Sequence, residues 1–471
     1  MSSTDPLAVQ LGQFAHQQAE AGVPSELVPD VIDRIVDLVG VALGALGDPT
    51  TEAVARTVES WGGRGNATAF GSGAKLPAPQ AALINGALAH ALDFDDTHLP
   101  SIVHPSSSII PASIAAAEEC SSTPEELITA VALGLEACVR LGMASYDQEA
   151  RNHVFFDRGL HATSILGALG SALSAAVLYR LRAEGITHAL GVASSMGAGL
   201  LEANRTGGTV KRLHNGWAAH AGICAAQLVA AGITGPPTVL EGRFGLLQAF
   251  SGDRWWPDPV VDRLGEHWEF RRVFYKPYPT NHFTHAGIDA ALALRHRGIQ
   301  LSEVASIELG VPEPTLRTIA EPPAEKAAPP TPYAAKFSGP FTVASALLGG
   351  GGLGVGHDDF TPETVADAQR LRLAGMVTCQ ADPVSSNRFP LSFGGVLRLN
   401  MKDGATVEHR TEESRGGQLH PLSQDDLDLK FLDNVSRSFG STRAEEILAS
   451  LRAFPQATDI SSNLEQMVRQ V

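Results

Sequence analysis

From Asp5 to Ala231 the sequence reads as one helix after another, and no long β-branched alternation appears before residue 300. This most limits what the chain can become. Apolar residues at three-to-four spacing over such a length, without strand pattern, pack as a large helical bundle. Asp5-Pro6 supplies a cap and first helical residue for a helix to about Glu20. Leu27, Val31, Ile35, Leu38, Val39, Ala42 and Leu43 keep helical spacing over residues 25–46, stopped by Gly47. Further helices are expected at 51–61, 79–92, 123–142, 160–180, 186–201 and 215–231. Thr123 caps its helix, with Glu125 and Glu126 in the first turn; Glu136 and Arg140 fall four apart on it as an intrahelical or surface pair. The run 164–178 is rich in Gly, Ala and Ser and short for a membrane span, so it reads as a helix buried in protein.

The pattern changes after Trp255-Trp256-Pro257. Residues 306–311 alternate as a strand, 377–382 form a second candidate, and 395–401 with 405–410 read as a hairpin turning at Asp403-Gly404. Helices are expected between them at 284–297, 341–348 and 362–374, and again at 425–439, 444–451 and 461–471. The expectation is a mainly α protein: a large helical domain over 1–269, a smaller α+β domain over 270–412, and a C-terminal segment, 413–471, rejoining the helical domain. At 471 residues the chain is long enough for two domains. The glycine-rich run 349–356 has no Lys-Ser/Thr and no βαβ context, so it reads as a flexible loop rather than a phosphate cradle.

A net charge of −16 argues against nucleic acid and anionic membrane as partners. Cys120, Cys138, Cys224 and Cys379 are scattered and show no metal-binding spacing, which fits a reducing cytoplasm. The first ten residues lack a basic start followed by an apolar core, so no signal peptide is expected.

Against that acidic background, five islands gather imidazoles and cations at helix ends. The first, residues 89–106, packs Asp93, Asp95, Asp96, Thr97, His98 and His104 behind an alanine-rich helix. The others are 152–163 with His161, 204–216 with Lys211, Arg212 and His214, 275–285 with Lys276, Tyr278, Asn281 and His282, and 333–341 with Lys336. Lys211, Arg212 and Lys276 are suited to carboxylates; His104 and His161 are suited to moving protons near neutral pH. Together they offer what is needed to take a proton beside a carboxylate and stabilise the carbanion. Adjacent acids at 95 and 96 point in different directions, and no metal-ligand motif is present, so no metal site is expected. A G-x-S-x-G nucleophile elbow is also missing.

The segments NGALAHALDFDDTH followed by HPSS, GLHATSILGALGSA, GTVKRLHNGWAAHAG, TGPPTVLEGRFG and KPYPTNHFTHAGIDA resemble, in this order, the MmgE/PrpD family. That family includes 2-methylcitrate dehydratase, cis-aconitate decarboxylase and iminodisuccinate epimerase. The resemblance implies a helical domain built from both chain ends, an α+β lid, a homodimer, and an active site between domain and lid that needs no cofactor. It implies a lyase acting on a small di- or tricarboxylate; an epimerase of a small dicarboxylate is the alternative, and a non-catalytic carboxylate-binding protein a third reading. Asp93, Thr97, His104, His161, Lys211 and Lys276 match active-site positions of the decarboxylase-type members. Where those members carry a lid-loop His, this chain has Asn281, with His282 next to it as the candidate replacement. Arg212, His214, Tyr278, Asn281 and Lys336 are expected to bind substrate.

Overall fold

The computed structural model describes residues 5–203, 208–457, 460 and 464. The first four residues of the basic island, 204–207, and the expected helix at 461–471 lie outside these, apart from residue 464. The chain divides into two compact units, residues 1–273 with 431–471 and residues 274–430. The second unit therefore runs eighteen residues beyond the expected boundary at 412. The reason is local: Arg415 donates to Asp289 and to the Tyr278 hydroxyl, which ties 413–430 to the second unit. Within the first unit, the C-terminal return is made by Phe431, which packs on Gly40 of the helix Val28–Gly44.

The first unit is helical, with short two-residue ribbons at its loops. Its most buried helix is Ala162–Leu178, enclosed along its whole length. It contacts Pro124–Ala144 where Gly170 meets Gly134: a Cβ on Gly170 would sit 2.7 Å from the Gly134 carbonyl oxygen. Ala78–Ala91 and His214–Ala230 cross at Gly86 and Gly216 in the same way. Glycine at these positions lets backbones approach closer than a side chain would allow. Pro124–Ala144 is long and apolar enough to cross a membrane by length and composition, but 94% of its apolar window is buried inside the unit. Its start carries a complete capping box between Thr123 and Glu126.

Two helices differ informatively from the sequence reading. The helix expected over 186–201 is Ala183–Ser194. The chain beyond it runs past the start of Ala162–Leu178, and the Gly199 carbonyl accepts from the His161 backbone N–H at 3.0 Å. The helix expected from residue 51 begins at Pro49, because the Asp48 carboxylate caps the N–H groups of Thr50 and Thr51.

The second unit is built on a four-stranded sheet, in the order Thr406–Thr411, Gly395–Met401, Val304–Val311, Val377–Ala381. The first two pairings are antiparallel, with Leu399 opposite both Val407 and Ile307; the last is parallel, with Leu309 opposite Cys379. A parallel pair needs a crossover, and the helix Gly339–Leu348 lies within it. This helix and His285–His296 contribute Phe341 and Ile288 to a core shared with Ile307, Leu309 and Leu397. The helix expected over 362–374 is broken into Pro362–Val365 and Ala368–Ala374, since Asp367 caps the second piece. The glycine run folds around the Asp359 carboxylate, which accepts from the Gly356 N–H and pairs with Arg370.

Candidate active site

The helix Ala78–Ala91 brings His90 into its last turn and then breaks. Asp93 sits at φ 56°, a left-handed position that Asp tolerates better than most residues. The chain then folds back on itself, with the His98 N–H donating to the Val103 carbonyl at 2.8 Å. This delivers His104 just before the helix Ser106–Cys120. His104 Nδ1 lies 2.6 Å from the Asp96 carbonyl and 3.2 Å from the Thr97 hydroxyl. A nitrogen bonded to a carbonyl must carry the proton, so Nδ1 donates and, in the neutral ring, the lone pair resides on Nε2. The His104 backbone N–H donates to the Thr163 hydroxyl, in the first turn of Ala162–Leu178.

His161 is the cap residue of that same helix and is buried. Its Nδ1 stands 2.9 Å from Nδ1 of His214, at the start of His214–Ala230. One proton between two nitrogens makes this bond, so a doubly charged pair is excluded. Burial holds the His161 ring well below its ordinary value, with the charges of His90, Lys211, His214 and His104 adding to the effect. Burial, then His90 and Lys211, brings His214 down to about 4. The Ser164 hydroxyl fixes the arrangement, its one proton shared between the Ala198 and His214 carbonyls at 2.5 and 3.0 Å.

Lys211 lies in the short 3-10 turn Thr209–Leu213 that feeds His214–Ala230, with its Nζ 3.6 Å from the Asp93 carboxylate. Ring centroids of His90 are 5.7 Å from those of both His104 and His161, and His161 is 5.0 Å from His214. In the first unit, therefore, Asp93, Thr97, His104, His161, Lys211 and His214 form one connected group. The Arg212 guanidinium is bound to the Asp48 carboxylate at 3.0 Å and to the Thr50 hydroxyl, which fixes the turn to the helix Pro49–Ser60. The acids at 95 and 96 are divided as well. Asp95 binds His90, whereas Asp96 accepts from the Ser106 hydroxyl and faces Arg34 at 3.5 Å. Burial raises Asp96 to about 6 despite these partners.

The second unit holds the remaining positions. Lys276 is buried at 1% exposure. Tyr278 is wholly buried, and its hydroxyl donates to Asp289 at 2.5 Å and accepts from Arg415. These bonds anchor the Lys-Pro-Tyr-Pro segment. Asn281 caps the short helix His282–Thr284 by accepting from the Phe283 N–H, and its own N–H donates to the Lys336 carbonyl. His282 is buried against the rings of Phe274, His285 and Phe393, with centroids 4.4, 4.8 and 5.0 Å away. The Lys336 ammonium lies 5.8 Å above the Phe360 ring.

The sequence reading counted Asp95 in the first island without giving it a role, and did not single out His90. Their signal was present: a histidine in a helix's last turn with a carboxylate five residues on, beyond the break.

Family models describe nearly the whole chain. The MmgE/PrpD N-terminal domain matches residues 9–257 and the MmgE/PrpD C-terminal domain matches residues 278–454. The chain belongs to the MmgE/PrpD family. It is a lyase of the MmgE/PrpD type. Among its relatives is the cis-aconitate decarboxylase-like protein oryM of Aspergillus oryzae, 25% identical over 467 residues and covering 94% of each chain. The cis-aconitate decarboxylase of Homo sapiens is 29% identical over 395 residues, covering 82% of this chain and 79% of its own. That of Aspergillus terreus is 26% identical over 498 residues, covering 96% and 97%. In this MmgE/PrpD chain the histidine group is assembled from four separate segments around residues 90, 104, 161 and 214.

Proposed function

We propose that this MmgE/PrpD lyase acts, without a cofactor, on a small di- or tricarboxylate, taking or returning a proton at a carbon beside a carboxylate. The observation that carries this reading is the joining of Lys211 and Asp93 to a group of buried imidazoles, His161 and His214 among them, that burial and nearby charge keep neutral. Neutral rings accept protons, and an ammonium group beside them holds the carboxylate that the reaction leaves electron-rich. His104 and His161 move the proton in this proposal, Lys211 binds the carboxylate, and Asp93 and Thr97 set the positions of Lys211 and His104. Lys276 and His282 are proposed for the same chemistry on family grounds, and each is open to its own variant test. The homodimer and the cytoplasmic setting remain part of the proposal; sedimentation of the purified chain checks the first.

The names of the relatives make cis-aconitate the first substrate to try. Citrate-like, aconitate-like and amino-dicarboxylate compounds are incubated with the protein, and CO2, water loss and inversion are followed by mass and NMR. Product from one of them supports the reading; none from any of them ends it. A second reading, epimerisation, draws on the separate anchoring of His104 and His161, which provides two proton carriers. It is distinguished by loss of α-hydrogen label without net elimination.

A further inference from the structure

His90 is 3% exposed, and its Nδ1 lies 2.8 Å from the Asp95 carboxylate, itself fully buried. A carboxylate accepts, so Nδ1 carries the proton and the neutral ring presents a lone pair at Nε2. That atom is buried and has no hydrogen-bond partner among the described residues. A buried polar atom without a partner is costly, and retaining one asks for a use. The ring lies at equal centroid distance, 5.7 Å, from His104 and His161, the two proposed proton carriers.

We propose that the Asp95–His90 pair is the proton store of this cluster: a proton collected by His104 or His161 passes to His90 Nε2 through one bridging water, because no ring nitrogen of the described residues lies within hydrogen-bond distance of that atom. One imidazolium N–H bond breaks and one N–H bond forms, leaving the carrier neutral for the next event. His90 is thereby a relay residue that acts through its neighbours. The proposal deepens the lyase reading and rests on it for the origin of the proton.

Three features place the proton there. His161 and His214 rest on each other, whereas His90 rests on a carboxylate. A carboxylate against a ring nitrogen favours the charged ring more than a neutral acceptor does. His90 also occupies the last turn of Ala78–Ala91, where the carbonyl end of the helix attracts positive charge. The third is the state of the neighbours, since burial holds His161 and His214 neutral. The charged and titratable groups around His90 come from every side. The following loop brings Asp93, Asp95 and His104; the helix Ala162–Leu178 brings His161; the turn and helix from Thr209 bring Lys211 and His214. Beyond Asp95 lie Asp96 and, from Val28–Gly44, Arg34 and Asp37.

The test uses the full chain with 15N-labelled histidine, titrated by NMR without substrate. The expected result is a neutral His90 protonated on Nδ1 in the alkaline range, and His90 as the first ring of the cluster to take a second proton as pH falls. Protonation of His104 or His161 before His90, or a neutral His90 carrying its proton on Nε2, overturns the proposal. In a kinetic arm, His90→Asn keeps a donor toward Asp95 but removes the store. With cis-aconitate, kcat is expected to fall about tenfold to a hundredfold with KM little changed and the acid limb of the pH profile displaced. An equal loss at every pH means a packing role and also overturns it. If the variant does not fold, the wild-type titration still decides. If no carboxylate is turned over at all, the lyase reading fails while the titration remains informative.

Discussion

At the scale of single residues, commitment of donors separates groups that hold the fold from those available for chemistry. Arg140 is the clearest structural example. It pairs with Glu136 four residues earlier, and its remaining donors go to the carbonyls of Pro259, Asp262 and His267. Glu136 in turn accepts from the Glu269 and Phe270 N–H groups. The i, i+4 spacing was readable in the sequence; that the pair is buried and ties down a loop more than a hundred residues away was not. Replacing Arg140 by Met strands the Glu136 charge, and the expected loss is about 3–5 kcal/mol in urea unfolding. Lys211, paired with Asp93 beside the histidines, belongs to the proposed chemistry. Lys211→Ala is expected to lower kcat/KM on the true substrate by about a hundredfold or more, a loss larger than the stability cost of taking this ammonium away from the buried Asp93 carboxylate. A variant that keeps wild-type turnover removes Lys211 from the mechanism.

At the scale of elements, close helix crossings determine where the histidines stand. His90 is one turn beyond Gly86, and His214 lies two residues before Gly216, the two glycines at which their helices touch. A Cβ on Gly216 would come within 2.2 Å of the Leu83 carbonyl oxygen, which cannot move without its helix. Gly216→Ala is therefore expected to lower stability by about 1–3 kcal/mol by overpacking, and to reduce turnover because the two rings shift. Gly47→Ala, where nothing lies within 4 Å, is the steric control, although its φ of 91° adds its own backbone cost. Thermal melts with a turnover assay check both. The start at Thr123 and the hairpin were legible because a cap and turn residues announce them, whereas the Asp48 cap was overlooked and the first helix begins at Leu7 without the expected Asp5 cap. The end of Ala183–Ser194 was not, since the periodic pattern continues while the chain leaves the helix to hydrogen-bond with His161. Likewise, the residues within each island were visible as titratable groups, but the bonds that fix Tyr278 and Arg212 run to Asp289, eleven residues on, and to Arg415 and Asp48, more than a hundred residues away.

For the whole molecule, buried histidines dominate the response to acid. Burial lowers His153 to about 3, His214 is lowered to about 4, and His98 and His161 lie well below their ordinary range. An unfolded chain takes up protons at these rings near pH 6.5, and the folded chain does so only at lower pH. Their contribution is therefore fully present above pH 6.5 and is lost as pH falls from there toward 3–4. Asp96 acts in the opposite sense: raised to about 6, it favours the folded state at low pH, and that contribution fades as pH rises from 3.8 to 6. Burial raises Glu136, Glu241, Asp289, Asp359 and Glu413 in the same sense as Asp96, but the four rings lie much further from their ordinary range, so the unfolding midpoint is expected to fall between pH 7 and pH 4.5, and the fall to be smaller in His153→Gln. Calorimetry across that range checks it; a stability that rises toward pH 4.5 contradicts the assignment of neutral buried rings. The family and the two-unit organisation were legible because the motifs follow one order along the chain.

The central claim is that the cluster of His104, His161 and Lys211 moves a proton at carbon beside a carboxylate. Its most direct test is incubation of the wild-type chain, His161→Asn and Lys211→Ala with cis-aconitate and the wider carboxylate panel in deuterated water. The account predicts product from the wild type, carrying deuterium at the carbon next to a carboxylate, and about a hundredfold less from either variant. Unlabelled substrate recovered across the whole panel, or full turnover in both variants, would contradict it.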